Sequence, residues 1–271
     1  MKFGSDFFRR YLKQAPVPLA LERSLECEIL SKQEFRHPVL DIGCGDGLFA
    51  HILFAEKIDL GIDPKKSELD RARKYAIYEE LIQCFGSNIP KEDRSFNTIY
   101  SNSALEHASD LEPVLKEVHR LLSDDGGFYI TVPTDSFEQY TIVNIFLTKL
   151  SLESMAKRYR ILYNRFWAQY HHYPAQEWIK LFEKNGFRVV QTIEYGSKKI
   201  CLLNDFLVPF SILSWFTKKM FNRWTLFPAI RTLITYPINL LISRKEIEQV
   251  ISVNNGGLIF FELRKKRVQA N

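Results

Sequence analysis

The chain has 271 residues, 46% of them hydrophobic, which suits one large domain with insertions or a domain plus an accessory part. A formal net charge of +5 is too modest to imply a nucleic-acid partner by itself. The four cysteines, at 27, 44, 84 and 201, form no C-x-x-C pair, which argues for a reducing compartment and against a zinc site.

In chain order, residues 1–36 read as an N-terminal helical cap. Leu21, Leu25 and Ile29 stand four apart, on one helix face. Met1 to Asp6 lack the apolar core of a secretory signal, and an aromatic, basic stretch with Phe7, Phe8, Arg9, Arg10 and Tyr11 follows. Val39-Leu40-Asp41-Ile42 then reads as a buried strand, Gly43-Cys44-Gly45-Asp46-Gly47 as a tight turn, and Leu48 to Phe54 as the start of a helix packed back on the sheet. Strand, glycine turn and helix form the nucleotide-cradling unit of doubly wound α/β folds.

The details narrow the ligand. A dinucleotide turn wants a third glycine at position 48, which is Leu48, and no G-K-[ST] follows to make a P-loop. The pattern is D-x-G-x-G-x-G, with Asp41 two residues before Gly43. A carboxylate beside the turn repels a pyrophosphate and attracts a cation. S-adenosylmethionine, with an ammonium, a sulfonium and no phosphate, fits. A second acid, Asp63 before Pro64, lies about 20 residues after the turn, where a carboxylate can accept ribose hydroxyls.

Residues 39–50 resemble the first motif of class I S-adenosylmethionine-dependent methyltransferases of the small-molecule branch. The likeness continues in order over residues 36–135. It includes Leu60 to Pro64, Phe85-Gly86-Ser87-Asn88-Ile89-Pro90, the strand Ser95 to Asn102, Ser103-Ala104-Leu105-Glu106-His107, a helix from Leu111 to Leu122 ending in Asp124-Asp125-Gly126-Gly127, and the strand Phe128 to Pro133. The resemblance implies an α/β fold with a Rossmann-like, seven-stranded, mostly parallel sheet, helices on both faces and a helical insertion before an antiparallel last strand. It implies that Asp41 acts on the methionine ammonium, that the backbones of Gly43 and Gly45 line the methionine and ribose with Cys44 as a spacer, and that Asp63 and Pro64 meet the ribose. Ser87 and Asn88 are expected near the adenine, and Asn102 and Ser103 facing the sulfonium and substrate. Many relatives carry an acid where Ser87 stands.

His107 and His172 are the candidate general bases, since a histidine can take a hydroxyl proton near neutrality. The methyltransferase core is expected over residues 37–197, with one or two helices between Thr141 and Arg165, a helix over Ala175–Asn185 stopped by Gly186, and a sixth strand over Phe187–Ile193.

Residues 198–256 read as an apolar, basic insertion, and 257–271 as the last strand with a basic tail, Arg264 to Arg267. Between 206 and 243 there is no Asp or Glu, four cations, many aromatics, and no uncharged run near the roughly 18–20 residues of a membrane span. That composition suits a bilayer interface; a cap on the substrate pocket or a dimer contact are the other readings. The expectation is a methyltransferase acting on a small-molecule or lipid acceptor, cytoplasmic or peripheral on the inner face of the membrane, with no metal. A catalytically silent scaffold and an NAD-dependent oxidoreductase are the alternatives.

Overall fold

The computed structural model describes residues 1–221, 223–225, 231, 235 and 252–266. Seven strands form one sheet in the order β3-β2-β1-β4-β5-β7-β6. They are β1 (Val39–Ile42), β2 (Ile58–Ile62), β3 (Tyr78–Ile82), β4 (Phe96–Asn102), β5 (Leu122–Pro133), β6 (Phe187–Tyr195) and β7 (Leu258–Lys265). The first five pair in parallel. β7 lies antiparallel between β5 and β6. The parallel order reverses direction beside β1, which opens a crevice at the carboxyl ends of β1 and β4.

Local sequence explains each element. All four residues of β1 are buried, as a central parallel strand requires. Helix α5 (Leu111–Leu121) buries Leu111, Val114, Leu115, Val118 and Leu121 along one face, and Asp110 caps it by accepting from the Glu112 N–H. Helix α9 (Ala175–Lys184) buries Trp178 and Phe182, one turn apart. The Phe182 ring meets that of Phe261 in β7 edge-on at 5.1 Å. Helices α1 (Phe7–Gln14) and α2 (Val17–Leu30) pack on the other sheet face, in the same apolar cluster as Val39, Tyr100 and Phe260. The N-terminal segment thus shares the core of the sheet.

Helices α3 (Leu48–Leu53) and α4 (Lys66–Ala72) follow β1 and β2. After β5 come α6 (Ser136–Gln139), α7 (Ile142–Lys149) and α8 (Glu153–Phe166). After β6 come α10 (Lys198–Leu207), a 3-10 turn over Val208–Ser211 and α11 (Ile212–Phe221).

Two expectations change. Residues 124–127 belong to β5: pairing with β4 runs Phe96 to Leu122, then Thr98 to Gly127, so the acidic, glycine-ended run is an irregularity inside the strand. The tail begins later than expected, because β7 runs to Lys265, opposite Phe187. Arg264 there bonds Glu262 at 2.6 Å and lies over the Tyr129 ring, and Lys265 approaches Asp124 at 3.7 Å, so neither is freely solvated. Much of the 206–243 segment, including Phe227 and Tyr236, lies outside the described residues, as does the end of the tail from 267.

Candidate active site

The glycine turn sits at the end of β1. Its Gly43 and Cys44 N–H groups both donate to Ile62 O at 2.9 Å, which locks the turn to β2. Gly43 has φ +77°, and a Cβ there would lie 2.5 Å from the Ala104 Cβ, so only glycine fits. Gly45 has φ +54°, and its Cβ would meet nothing within 4 Å among the described residues. This bare, open side of the turn is where a ligand can rest on the backbone. Asp63, just past β2 and 8% exposed, faces it. Its Oδ2 accepts from the Gly45 N–H at 3.1 Å and its Oδ1 from the Lys65 N–H at 2.8 Å. Burial raises its pKa, and the two backbone donors oppose that shift.

Asp41 lies beneath the turn, 3% exposed. Its Oδ2 accepts from the phenols of Tyr78 at 2.7 Å and Tyr100 at 2.5 Å. Burial pushes its pKa up to about 7 despite those bonds. Cys44 is buried and its thiol pKa is pushed well up, first by burial and then by Asp41, which disfavours the thiolate.

Asn102 and Ser103 stand at the carboxyl end of β4, as expected, but their donors turn inward to Glu26 of α2. Asn102 Nδ2 donates to Glu26 Oε2 at 2.8 Å and Ser103 Oγ to Oε1 at 2.9 Å. Glu26 is fully buried and also accepts from Arg23 at 2.7 Å and Tyr195 at 3.2 Å. Burial opposes the Arg23 charge, but Glu26 and Glu22 overcome it and raise its pKa. Sequence reasoning missed Glu26. The available signal was a pair of glutamates inside the apolar run Leu25 to Leu30, since buried carboxylates need partners.

The rim is built from loops. Ser87 and Asn88 are exposed in a turn in which Asn88 N–H donates to Phe85 O at 3.1 Å. Exposed Pro64 gives its carbonyl to Gln83 Nε2 at 3.1 Å. His107 follows β4 in a 3-10 turn, Leu105–His107. Its Nδ1 lies 2.9 Å from Ala168 O. A carbonyl only accepts, so Nδ1 carries the proton and Nε2 keeps its lone pair. Burial lowers the His107 pKa, which favours that neutral form. His172 is more engaged: Asn164 Nδ2 donates to its Nε2 at 3.3 Å, Glu138 Oε1 lies 3.7 Å from the same atom, and its buried Nδ1 has no partner among the described residues. Glu106, 2% exposed and with no hydrogen-bond partner for Oε2 among the described residues, has its pKa pushed up to about 8 by burial.

The insertion reaches back to the turn. Lys218 of α11 lies 2.8 Å from Asp46 Oδ2 and 3.5 Å from Glu68. Trp224 Nε1 donates to the same Asp46 oxygen at 2.9 Å, and Lys218 sits 4.2 Å from the Trp224 ring centroid.

Residues 9–192 match the family model of a methyltransferase domain. The chain belongs to that family. Among curated proteins it is 30% identical over 144 residues to YrhH of Bacillus subtilis, which carries a methyltransferase name; the match covers 50% of this chain and 78% of YrhH. It is 33% identical over 110 residues to a sterol 24-C-methyltransferase of Aspergillus fumigatus, covering 37% of this chain and 29% of that enzyme. A ubiquinone biosynthesis O-methyltransferase of Coxiella burnetii is 30% identical over 107 residues, 38% of this chain and 46% of its own. The chain thus spans less than half of those two enzymes. A crystal structure of an S-adenosylmethionine-dependent methyltransferase from Thermotoga maritima superposes with TM-score 0.51 at 18% identity, covering 92% of this chain and 90% of the other. The protein is an S-adenosylmethionine-dependent methyltransferase. The open face of Gly45 beside Asp63, over the acid-bearing strand, fits that cofactor.

Proposed function

We propose that the acceptor is lipid-like, that it presents a hydroxyl, and that the methyl transfer takes place at a bilayer surface. One observation carries this reading: Lys218 and Trp224, from the acid-free apolar and basic segment, bind the glycine turn directly through Asp46. The segment whose composition suits a lipid interface is therefore also the cover of the cofactor site. The sterol and ubiquinone enzymes among the relatives support an acceptor of that class.

When bound, S-adenosylmethionine supplies an electrophilic methyl on a sulfonium. The chain's residues would do the rest. Gly43 and Gly45 offer bare backbone, Asp63 accepts ribose hydroxyls, and Ser87 and Asn88 lie toward the adenine. Asp41 holds negative charge beneath the ammonium. Asn102 and Ser103, fixed by Glu26, shape the floor between donor and acceptor. His107, neutral with Nε2 free, takes the acceptor proton, and alignment supplies most of the rate. His172, already bonded to Asn164, positions the acceptor loop.

The test is transfer of label from methyl-labelled S-adenosylmethionine into a lipid extract, read by mass spectrometry. Label in the methyl ether of an apolar species is expected. Label only in water-soluble products, or none in any lipid fraction, overturns the reading.

A further inference from the structure

Exposed apolar side chains are unevenly spread. Among the described residues, every large hydrophobic side chain that is exposed lies within 142–170 or 203–221, apart from Phe85 and Val190. The first group occupies the α7–α8 hairpin, a region without the acid-free composition that marks 206–243. On α8, Met155, Leu162 and Phe166 stand at i, i+7 and i+11, one face of the helix, and are 52%, 64% and 78% exposed. The Phe146 side chain on α7 is 60% exposed. The second group lies on α10, the 3-10 turn and α11, where Phe210 is 73% exposed and Trp215 57%.

The two groups adjoin. The Ile142 N–H at the start of α7 donates to Asp205 Oδ2 of α10 at 2.8 Å. Charge follows the same distribution. Lys149, Lys157, Arg158, Arg160 and Arg165 stand on the hairpin against Glu153 alone, and Lys198, Lys199, Lys218 and Lys219 stand on residues 198–221 against Asp205 alone. The excess of cations in these two stretches exceeds the +5 of the whole chain, so the rest of the molecule is net acidic. Among the described residues, exposed Lys149, Lys157, Arg158 and Arg165 have no carboxylate partner.

We propose that the α7–α8 hairpin is a second bilayer-docking element, which joins α10–α11 in one face that binds an anionic lipid surface. The aromatic and aliphatic side chains enter the headgroup boundary while the unpaired cations meet lipid phosphates. A neutral apolar partner would leave those cations without counter-charges, and a second copy of the same face would oppose cation to cation. No single helix among the described residues is long and apolar enough to cross a membrane, although the bent pair Lys198–Ser211 and Ser214–Phe221 reaches that length and composition when taken together. This proposal extends the bilayer reading above, and docking can be measured without methyl transfer.

The experiment is flotation of the full chain with phosphatidylcholine vesicles, with and without phosphatidylglycerol. The wild type should float with the anionic vesicles and weakly with neutral ones. Leu162→Ser/Phe166→Ser, at exposed sites, should lower partitioning by about tenfold. Arg158→Gln/Arg165→Gln should remove most of the preference for anionic vesicles, about fivefold for each charge. Titration with S-adenosylmethionine should give wild-type affinity for both variants, showing that they fold. If both variants float like the wild type while Trp215→Ser/Phe216→Ser does not, the hairpin proposal fails and the role of α11 stands. If no form floats, both fail. Dimers in size-exclusion chromatography that these substitutions dissociate would make a second copy the occupant and overturn the proposal.

Discussion

Tyr100 donates its phenol O–H to Asp41 Oδ2 at 2.5 Å, across adjacent central strands and under the glycine turn. Together with Tyr78 it stabilises a carboxylate that burial disfavours, and the balance leaves Asp41 titrating at about 7. The folded pKa is raised above the unfolded value of about 3.9. Asp41 therefore favours the folded state at low pH, and that contribution is lost as pH rises from about 4 through 7.

A trade-off follows at this position. Asp41→Asn should stabilise the ligand-free protein above pH 8, by an amount on the order of 2 kcal/mol, because it removes the cost of ionising a buried acid. The same substitution should weaken S-adenosylmethionine binding by about 10- to 100-fold, since the ammonium loses its counter-charge. In the wild type, affinity should rise as pH passes through about 7, and in the variant it should be flat. Calorimetric titration at pH 6 and pH 8, with thermal melts of the free protein, checks both halves.

The contact between α11 and the turn should be electrostatic in origin. Burial pushes Asp46 up, but the Lys218 charge and hydrogen bond, aided by the Leu48 and Trp224 N–H groups, outweigh it and hold its pKa below the ordinary carboxylate value. The stabilisation is present above the unfolded pKa of about 3.9 and is lost as pH falls through the lower folded one. Lys218→Met should cost about 2 kcal/mol, the scale of a charged hydrogen bond, and lower the melting temperature by about 4 °C. Limited proteolysis between α11 and β7 should become faster at neutral pH. An unchanged cleavage rate and melting temperature would show that α11 is held by its apolar contacts alone.

Legibility in the sequence followed the range of the interaction. The glycine turn, Asp41 and Asp63 could be placed because strand, turn and the following acid are all local signals. Six of the seven strands were placed, β1, β6 and β7 from apolar runs and β2, β4 and β5 from the resemblance, which also implied the antiparallel last strand. Asn102 and Ser103 were placed at the correct strand end, but their side chains bond Glu26, which is 76 and 77 residues away. No local spacing encodes that pairing. The docking of Lys218 and Trp224 on Asp46 spans still more chain, and composition alone left interface and cap as separate readings. The structure brings Lys218 of α11 to Asp46 and leaves Trp215 and Phe216 of the same helix exposed.

Glu26 should be the most sensitive position in the N-terminal helices. Glu26→Ala leaves the Arg23 guanidinium without its main partner and strands donors of Asn102, Ser103 and Tyr195. The expected loss is about 3–5 kcal/mol of unfolding free energy, read by urea denaturation. Arg23→Met/Glu26→Met should recover part of it, since it removes both charges of the pair but takes the guanidinium away from Glu22, 3.4 Å distant. If the double variant is no better than Glu26→Ala, the cost belongs to the polar groups of β4 and β6 and not to the ion pair.

His107 should reveal itself in the pH profile of turnover. Its Nδ1 is committed to Ala168 O, so protonation occurs at Nε2, the atom that would accept the acceptor's proton. Burial holds its pKa below the ordinary histidine value near 6.5. The wild-type rate should therefore be flat through neutrality and fall only on the acid side of the ordinary histidine value. His107→Gln should reduce kcat by about 10²- to 10⁴-fold, abolish that acidic limb and leave S-adenosylmethionine affinity within about twofold. His172→Gln, a change at the loop that positions the acceptor, should raise KM for the acceptor with little change in kcat and keep the acidic limb. Should His107→Gln retain both full turnover and the acidic limb, deprotonation lies elsewhere, and the buried carboxyl of Glu106, whose Oε1 lies 3.9 Å from His107 Nε2, becomes the group to substitute.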